Sequence, residues 1–339
     1  FMSAVFDLDD PAMFSRERER FLASVAAMPT EVPPSNRVQD RSSVPQQQPG
    51  EAPQLQGPTS FANAPDTDPA IAVNRAWGDQ IRDRMQSSTL GAAITHVTTS
   101  DELDTLIART VEAGASWRDL PTDERVRILH AAGDALEAHR ADLLEVMGAE
   151  CGKVLEQGDP EVSEAVDFAH YYAESARSLH AIDGARPDPV QLTVVTPPWN
   201  FPVAIPAGST LAALAAGSPV IIKPASQSRR CGQVMVEALW EAGVPRDVLV
   251  CVQLEERSLG TQLVSDPRVG RLILTGSYET AALFRSFRED LPLLAETSGK
   301  NAIIVTPSAD LDLAAKDVVY SAFGHAGQKC SAASLVVLV

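Results

Sequence analysis

The order of apolar and polar positions divides the chain into three stretches. Residues 14–28 read as a short charged helix, after which the composition changes sharply. From 29 to 69 the chain is rich in Pro, Gln and Ser, with few apolar residues and no periodicity, which predicts a linker or surface-wrapping segment with little regular structure. Helical signals begin near Ala70, where Ile71, Ala72, Trp77 and Ile81 form a short apolar stripe. Ser100-Asp101-Glu102-Leu103 opens the next helix with a cap and early acidic residues, and Pro121-Thr122-Asp123-Glu124-Arg125 opens another. Leu129, Ala132, Leu136, Leu143, Leu144 and Met147 then recur at helical spacing as far as Gly148. A third helix over 160–178 completes a predicted helical layer from about 100 to 180.

After Pro189 the pattern becomes short β-rich runs alternating with amphipathic stretches. The runs are 192–196, 220–223, 248–253, 272–275, 293–296 and 302–305, and helical patterns lie between them at about 207–216, 229–242, 278–289 and 311–323. That alternation predicts βαβ units, hence an α/β fold whose parallel sheet is covered on both faces. Sheets of this kind bind ligands at the carboxyl ends of their strands.

Composition narrows the function classes. The 339 residues suffice for two domains or one large one, and 45% apolar content supports a sizeable core. A formal charge of −17 argues against nucleic acid, because phosphate contact needs Lys and Arg in excess. Cys151, Cys231, Cys251 and Cys330 lie far apart, with no C-x-x-C pair and no His spacing suited to zinc, which fits a reducing cytosol. No apolar run approaches the roughly 20 residues that span a bilayer. The chain opens Phe1-Met2-Ser3 and stops within the apolar run Leu335-Val336-Val337-Leu338-Val339, so both ends are expected to be cuts in a longer polypeptide.

Chemistry concentrates where the predicted strands end. Thr196-Pro197-Pro198-Trp199-Asn200-Phe201-Pro202 fixes one amide in a rigid loop: Asn200 is either an oxyanion donor or the cap of a Pro-rich turn. Lys223, before Pro224-Ala225-Ser226, either reaches a nucleotide ribose or phosphate or is a solvated strand-end Lys. Thr275-Gly276-Ser277 leads into a helix, so its N–H groups and hydroxyl either meet a pyrophosphate or simply cap that helix. In Glu296-Thr297-Ser298-Gly299-Lys300-Asn301 the carboxylate is either a desolvated general base or the partner of a nearby Lys. Gly327-Gln328-Lys329-Cys330-Ser331 closes a helical pattern with a small-residue loop whose cysteine is either a nucleophile or inert. The other three cysteines lack such a setting and are read as inert.

Taken together, in this order, P-W-N-F-P, K-P, T-G-S, E-x-x-G-K and G-Q-x-C resemble the aldehyde dehydrogenase superfamily. The spacing agrees, with Lys223 following Asn200 by 23 residues and Cys330 following Glu296 by 34. The resemblance covers roughly 95–339. It implies a Rossmann-type parallel sheet flanked by helices, cut short before the catalytic domain is complete. The implied domains are a trailing helix and linker over 1–60, an NAD-binding domain with its helical layer over 61–310, and the start of the catalytic domain over 311–339.

The same resemblance implies a mechanism. Cys330 attacks an aldehyde, Asn200 and the Cys330 backbone N–H hold the oxyanion, hydride passes to a nicotinamide, and Glu296 activates the water that hydrolyses the resulting thioester. Thr196, Pro197, Pro198 and Trp199 would face the cofactor's sugar and nicotinamide side, Lys223 and Ser226 its adenosine ribose, and Gly276 and Ser277 its pyrophosphate, with Thr297 also beside the cofactor. Ser226 stands where many members carry Glu, so NAD is expected without excluding NADP. Glu255-Glu256-Arg257-Ser258 also replaces a loop that carries Gly in many members, which implies a different or weaker grip on the adenine.

E-T-S-G-K-N at 296–301, Gly327 to Ala332, and Glu161-Val162-x-Glu164-Ala165-Val166-Asp167-Phe168 before Tyr171-Tyr172-Ala173 resemble L-glutamate γ-semialdehyde (1-pyrroline-5-carboxylate) dehydrogenases. In that branch Ser331 would hold the substrate's amino-acid end; otherwise it caps a strand. Phe61-x-Asn63-x-Pro65-x-Thr67-Asp68-Pro69 with Asn74-Arg75-x-Trp77 resembles bifunctional proline utilization A proteins. That likeness implies a linked upstream proline dehydrogenase using FAD, a cytoplasmic homo-oligomer, and membrane association, if any, through the flavin domain. Acylating aldehyde dehydrogenases, which need no water-activating carboxylate, and a non-catalytic scaffold are the competing readings. A nicotinamide-ribose clamp, E-x-F-G-P, would follow about a hundred residues after the cysteine, so these 339 residues alone are expected to be inactive or poorly folded.

Overall fold

The computed structural model describes residues 11–28, 35–43, 61–179, 182–184 and 186–339. The chain divides into two compact units, Phe1–Val38 and Gln39–Val339. The first contains α1 (Pro11–Ala27), the charged helix expected there, with Phe14, Phe21, Leu22 and Val25 exposed. Short strands β1 (Arg37–Gln39) and β2 (Asp66–Thr67) form within the stretch expected to lack regular structure, of which 29–34 and 44–60 lie outside the described residues. One cause of order near β2 is Arg41. Its guanidinium bonds the Thr67 hydroxyl at 2.9 Å and pairs with Glu137 at 2.7 Å and Asp159 at 3.5 Å, which anchors this otherwise polar segment.

The helical layer comprises α2 (Ala72–Met85), strand β3 (Thr95–Val97), α3 (Ser100–Arg118), α4 (Thr122–Ala138), α5 (Arg140–Cys151) and α6 (Leu155–Leu179). Thr99, one residue earlier than expected, caps α3 in a reciprocal box with Glu102. The single apolar pattern up to Gly148 is two helices, because the chain breaks at His139 (φ −89°, ψ 13°). The His139 ring is fixed there by Asp142 at 3.0 Å and Glu241 at 2.7 Å. α6 starts at Leu155 rather than Pro160, so Pro160 lies inside the helix, just past its first turn, where its missing N–H leaves the Glu156 carbonyl without an intrahelical donor.

Then follow β4 (Thr193–Thr196), α7 (Ala204–Ala215), β5 (Val220–Ile222), α8 (Arg229–Glu241), β6 (Leu249–Leu254), α9 (Arg257–Ser265), β7 (Arg271–Gly276), α10 (Tyr278–Phe287) and β8 (Leu293–Thr297). The six-stranded sheet has the order β3-β6-β5-β4-β7-β8, with parallel pairings throughout. Both faces are buried at β4, β5 and most of β6, where alternate residues serve opposite sides, whereas the edge strand β8 is largely exposed. Val195, Val220, Ile222, Leu249 and Cys251 join the core that includes α4 to α8, whereas Val194, Ile221, Val250 and Val252 join a second core with α3 and α9.

The run at 302–305 does not extend this sheet. β9 (Asn301–Val305) pairs instead with β10 (Ala333–Leu338), parallel, in a separate two-stranded sheet reached through α11 (Leu311–Phe323) and a 3-10 turn, Gly324–Gly327. The reason is geometric. Only residues 298–300 separate β8 from β9, and a parallel neighbour needs a crossover of roughly a dozen residues. Among the described residues no helix is long and apolar enough to cross a membrane.

Candidate active site

From β4 the chain winds outward through β5 and β6, then returns to β4's other side for β7 and β8, so the direction of winding reverses between β4 and β7. The carboxyl ends of those two strands are therefore where a doubly wound sheet opens a crevice. Thr196 ends β4 and donates its hydroxyl to the Ile273 carbonyl of β7 at 3.3 Å. Pro197 is buried, and Pro198, Trp199 and Asn200 are half-buried in the loop that follows.

Asn200 is gripped from both sides. Its amide donates to the Gln328 carbonyl at 2.9 Å, and its own carbonyl accepts from Lys153 Nζ at 3.0 Å. Lys153 is inaccessible to solvent, as is the Glu161 carboxylate it pairs with. The ammonium also lies 3.8 Å from the centre of the Phe201 ring. Glu161 Oε1 in turn accepts the N–H groups of Val203 at 2.7 Å and Ala204 at 3.0 Å, satisfying donors at the start of α7 and placing negative charge at the positive end of that helix. Burial pushes the Glu161 carboxyl above its ordinary range, against the pull of Lys153 and the two N–H groups. The loop carrying Asn200 is thus built on a buried ion pair.

The loop before Cys330 is conformationally unusual. His325 and Ala326 (both φ 53°) and Gly327 (φ 71°) occupy the left-handed region in succession. For the two non-glycine residues that costs about 1–3 kcal/mol each, and such strain clusters at functional sites. Burial, then the charge of Lys153, lowers the pKa of His325. Beyond it, Asn301 donates its amide to the carbonyls of Cys330 at 2.6 Å and Ala332 at 3.1 Å. The turn that follows Glu296 is in this way tied to the backbone of Cys330.

Cys330 and Ser331 are exposed. Glu296 is exposed too, because β8 is the edge strand of the sheet, so of its two readings the desolvated carboxylate is not what the structure shows, and among the described residues it makes no ion pair with a Lys either. It sits in register with Thr275, as Thr297 does with Gly276, so the E-T and T-G segments end side by side. Among the described residues no hydrogen bond joins Glu296 to Cys330 or Asn200. The structure brings Asn200 to the Cys330 loop directly and Glu296 to it through Asn301.

Cofactor candidates divide in two. Half-buried Lys223 donates to the Pro224 carbonyl at 3.4 Å and makes no ion pair among the described residues. Burial, then Arg229, lowers its pKa. A half-buried cation without a carboxylate, at a strand end beside the crevice, fits an oxygen-rich ligand such as a nucleotide ribose or phosphate. Ser277 by contrast caps α10, accepting from the Thr280 N–H at 3.1 Å, and Ser226 donates to Gln227 Oε1 at 3.0 Å; both are exposed. Reading the sequence missed Lys153. Its one signal was Glu161, which stands in a recognised motif but does not reveal its partner.

Residues 82–339 match the aldehyde dehydrogenase family. The chain belongs to that family. The match begins somewhat earlier than the motifs implied, within α2. The bifunctional protein PutA of Escherichia coli is 39% identical to this aldehyde dehydrogenase chain over 249 residues, which is 71% of the chain and 19% of that protein. Proline utilization A from Corynebacterium freiburgense superposes with a TM-score of 0.74 and 40% identity over 96% of this chain and 31% of its own. A Thermus 1-pyrroline-5-carboxylate dehydrogenase solved with bound NAD gives a TM-score of 0.73 and 28% identity, covering 83% of this chain and 63% of its own. The chain thus spans about a fifth of the Escherichia coli relative's length. The expected likeness to both the bifunctional and the 1-pyrroline-5-carboxylate dehydrogenase branches holds.

Proposed function

We propose that this chain supplies the nucleotide-binding and nucleophilic parts of an NAD-dependent L-glutamate γ-semialdehyde dehydrogenase, which oxidises its substrate to L-glutamate within a bifunctional proline-catabolic protein. The observation that carries the reading is the Asn200 amide resting on the Gln328 carbonyl at 2.9 Å, two residues before Cys330. That amide rests on a backbone acceptor in the loop that carries Cys330, and an oxyanion formed at Cys330 would replace the carbonyl as the better acceptor.

In this reading the Cys330 thiolate attacks the aldehyde carbon, and Asn200 with the Cys330 N–H receives the oxyanion. Thr196, Pro197, Pro198 and Trp199 line the nicotinamide side, Lys223 and Ser226 the ribose, and Gly276, Ser277 and Thr297 the phosphates and their surroundings. The nicotinamide, when bound, accepts the hydride. Glu296 takes a proton from the water that hydrolyses the acylated cysteine, for which its exposed position gives access to solvent, and Ser331 holds the substrate's amino-acid end. A linked flavin-dependent proline dehydrogenase, a homo-oligomer and a cytosolic setting belong to the same proposal; the bifunctional relatives, of which this chain covers only part, support the linked second activity.

Cys330→Ala tests it. In the full-length protein aldehyde oxidation should vanish while nucleotide binding survives; turnover retained by the variant would remove Cys330 from the mechanism.

A further inference from the structure

Away from Cys330, two cysteines that the sequence keeps 80 residues apart meet in the fold. Cys151 ends α5 and Cys231 lies in the first turn of α8, and their sulfurs are 3.9 Å apart. Cys231 is buried and Cys151 half-exposed, so one thiol is reachable from solvent and the other stands behind it. Glu150 lies within 4.8 Å of both sulfurs, an arrangement that would suit a metal ion. Its two oxygens, however, already accept the N–H groups of Arg230 at 3.0 Å and Cys231 at 2.9 Å. The carboxylate is committed to the start of α8, which leaves the two thiols as the reactive pair.

We infer that Cys151 and Cys231 form a reversible disulfide in response to hydrogen peroxide, and that this loosens the loop carrying Lys223 and Ser226. Closing the bond needs the sulfurs to approach from 3.9 Å to about 2.05 Å. Cys151 ends α5 just before Gly152, which has φ 67°.

The chemistry balances with the peroxide alone as oxidant. The Cys151 thiolate attacks a peroxide oxygen; an S–O bond forms, the O–O bond breaks, and the departing oxygen leaves as water after taking a proton. The Cys231 sulfur then attacks the sulfenic sulfur. An S–S bond forms, the S–O bond breaks, and hydroxide leaves with the Cys231 proton as a second water. Two electrons pass from the sulfurs to the peroxide. Burial pushes the Cys231 thiol up, which disfavours it as the first nucleophile and leaves that step to the half-exposed Cys151.

The consequence follows from what Cys151 touches. In the reduced state its S–H donates to the Gln227 carbonyl at 3.4 Å, and Gln227 in turn accepts from Ser226 at 3.0 Å. Oxidation removes that S–H and draws the sulfur toward α8, so the 224–228 loop loses its tie to α5. This consequence rests on the cofactor reading above; the disulfide itself does not.

The experiment titrates the purified protein with hydrogen peroxide, maps disulfides by non-reducing peptide mass spectrometry, and measures NADH affinity before and after. A Cys330→Ser background keeps the nucleophile out of the thiol chemistry. The expected result is a cross-link between the Cys151 and Cys231 peptides, reversed by dithiothreitol, with NADH affinity lower by about three- to tenfold, the range that one net hydrogen bond spans. Cys151→Ser, at the half-exposed position, should abolish both the cross-link and the change in affinity. Over-oxidised Cys151 beside a free Cys231 thiol would overturn the inference, as would a cross-link with unchanged affinity. If the reduced protein binds no NADH yet the cross-link forms, the cofactor reading fails, and with it the inferred effect on the loop.

Discussion

Lys153 reaches across from the end of α5 to hold the Asn200 carbonyl at 3.0 Å, so the amide proposed for the oxyanion is positioned by a lysine that never meets solvent. Removing one member of a buried ion pair leaves the other charged and desolvated, which costs about 3–5 kcal/mol, whereas replacing both often costs far less. Lys153→Met should therefore lower stability by about that amount in urea unfolding, and Lys153→Met with Glu161→Gln by clearly less than the two single losses summed. Additive losses would mean that the two side chains do not act as a pair.

Asn200→Ala should leave the buried pair and the fold in place while lowering kcat about 10²- to 10³-fold, the loss seen when one oxyanion donor is removed. KM should change far less. Steady-state kinetics on glutamate γ-semialdehyde check this, and a loss confined to KM would assign Asn200 to substrate binding instead.

The break between α4 and α5 makes stability pH-dependent. The hydrogen bond that His139 donates to the Asp142 carboxylate, opposed by burial and helped by Glu241, raises the His139 pKa from its ordinary 6.5 to about 9. A raised folded-state pKa means that the contribution is fully present below about 6.5 and is lost as pH climbs through about 9. Urea midpoints of the protein should thus fall between these two pH values, and His139→Gln should remove that part of the slope. An unchanged slope in the variant would place the dependence elsewhere.

α6 and α7 approach closely at Gly208, where a β-carbon would lie 2.9 Å from the Phe168 ring. Alanine gains about 1 kcal/mol of helix propensity, but overpacking costs about 1–3 kcal/mol, so Gly208→Ala should be neutral to destabilising by about 2 kcal/mol. A thermal midpoint above that of the parent protein would show that the ring moves aside freely.

Much of this architecture was legible because strand burial produces the apolar runs at 192–196, 220–223 and 272–275, and because Ser100-Asp101-Glu102 and Pro121-Thr122-Asp123-Glu124 stand within a residue of where α3 and α4 begin. What the sequence hid has physical causes. β3 has only three residues, too few for a periodic signal, and α9 begins at Arg257, directly after the charged Glu255-Glu256, which masked its apolar face of Leu259, Leu263 and Val264. Ala302 to Val305 reads like any other buried strand, since apolar alternation does not say which sheet a strand joins. Lys153 escaped notice because a buried lysine is recognisable only from its partner, here a carboxylate on the next helix beyond the Gly152 turn. The approach of Cys151 to Cys231 depends on how α5 packs on α8, a contact that 80 residues of intervening chain do not reveal.

The central claim is that acyl transfer passes through the Cys330 sulfur and is released by Glu296. A Glu296→Gln variant of the full-length protein, mixed with glutamate γ-semialdehyde and NAD, acid-quenched and digested for mass spectrometry, tests it most directly. The account predicts that the Cys330 peptide accumulates a glutamyl thioester at close to one per chain, formed together with one equivalent of NADH. An unmodified Cys330 peptide alongside continuing NADH production, or the acyl group on Cys151, Cys231 or Cys251, would contradict it.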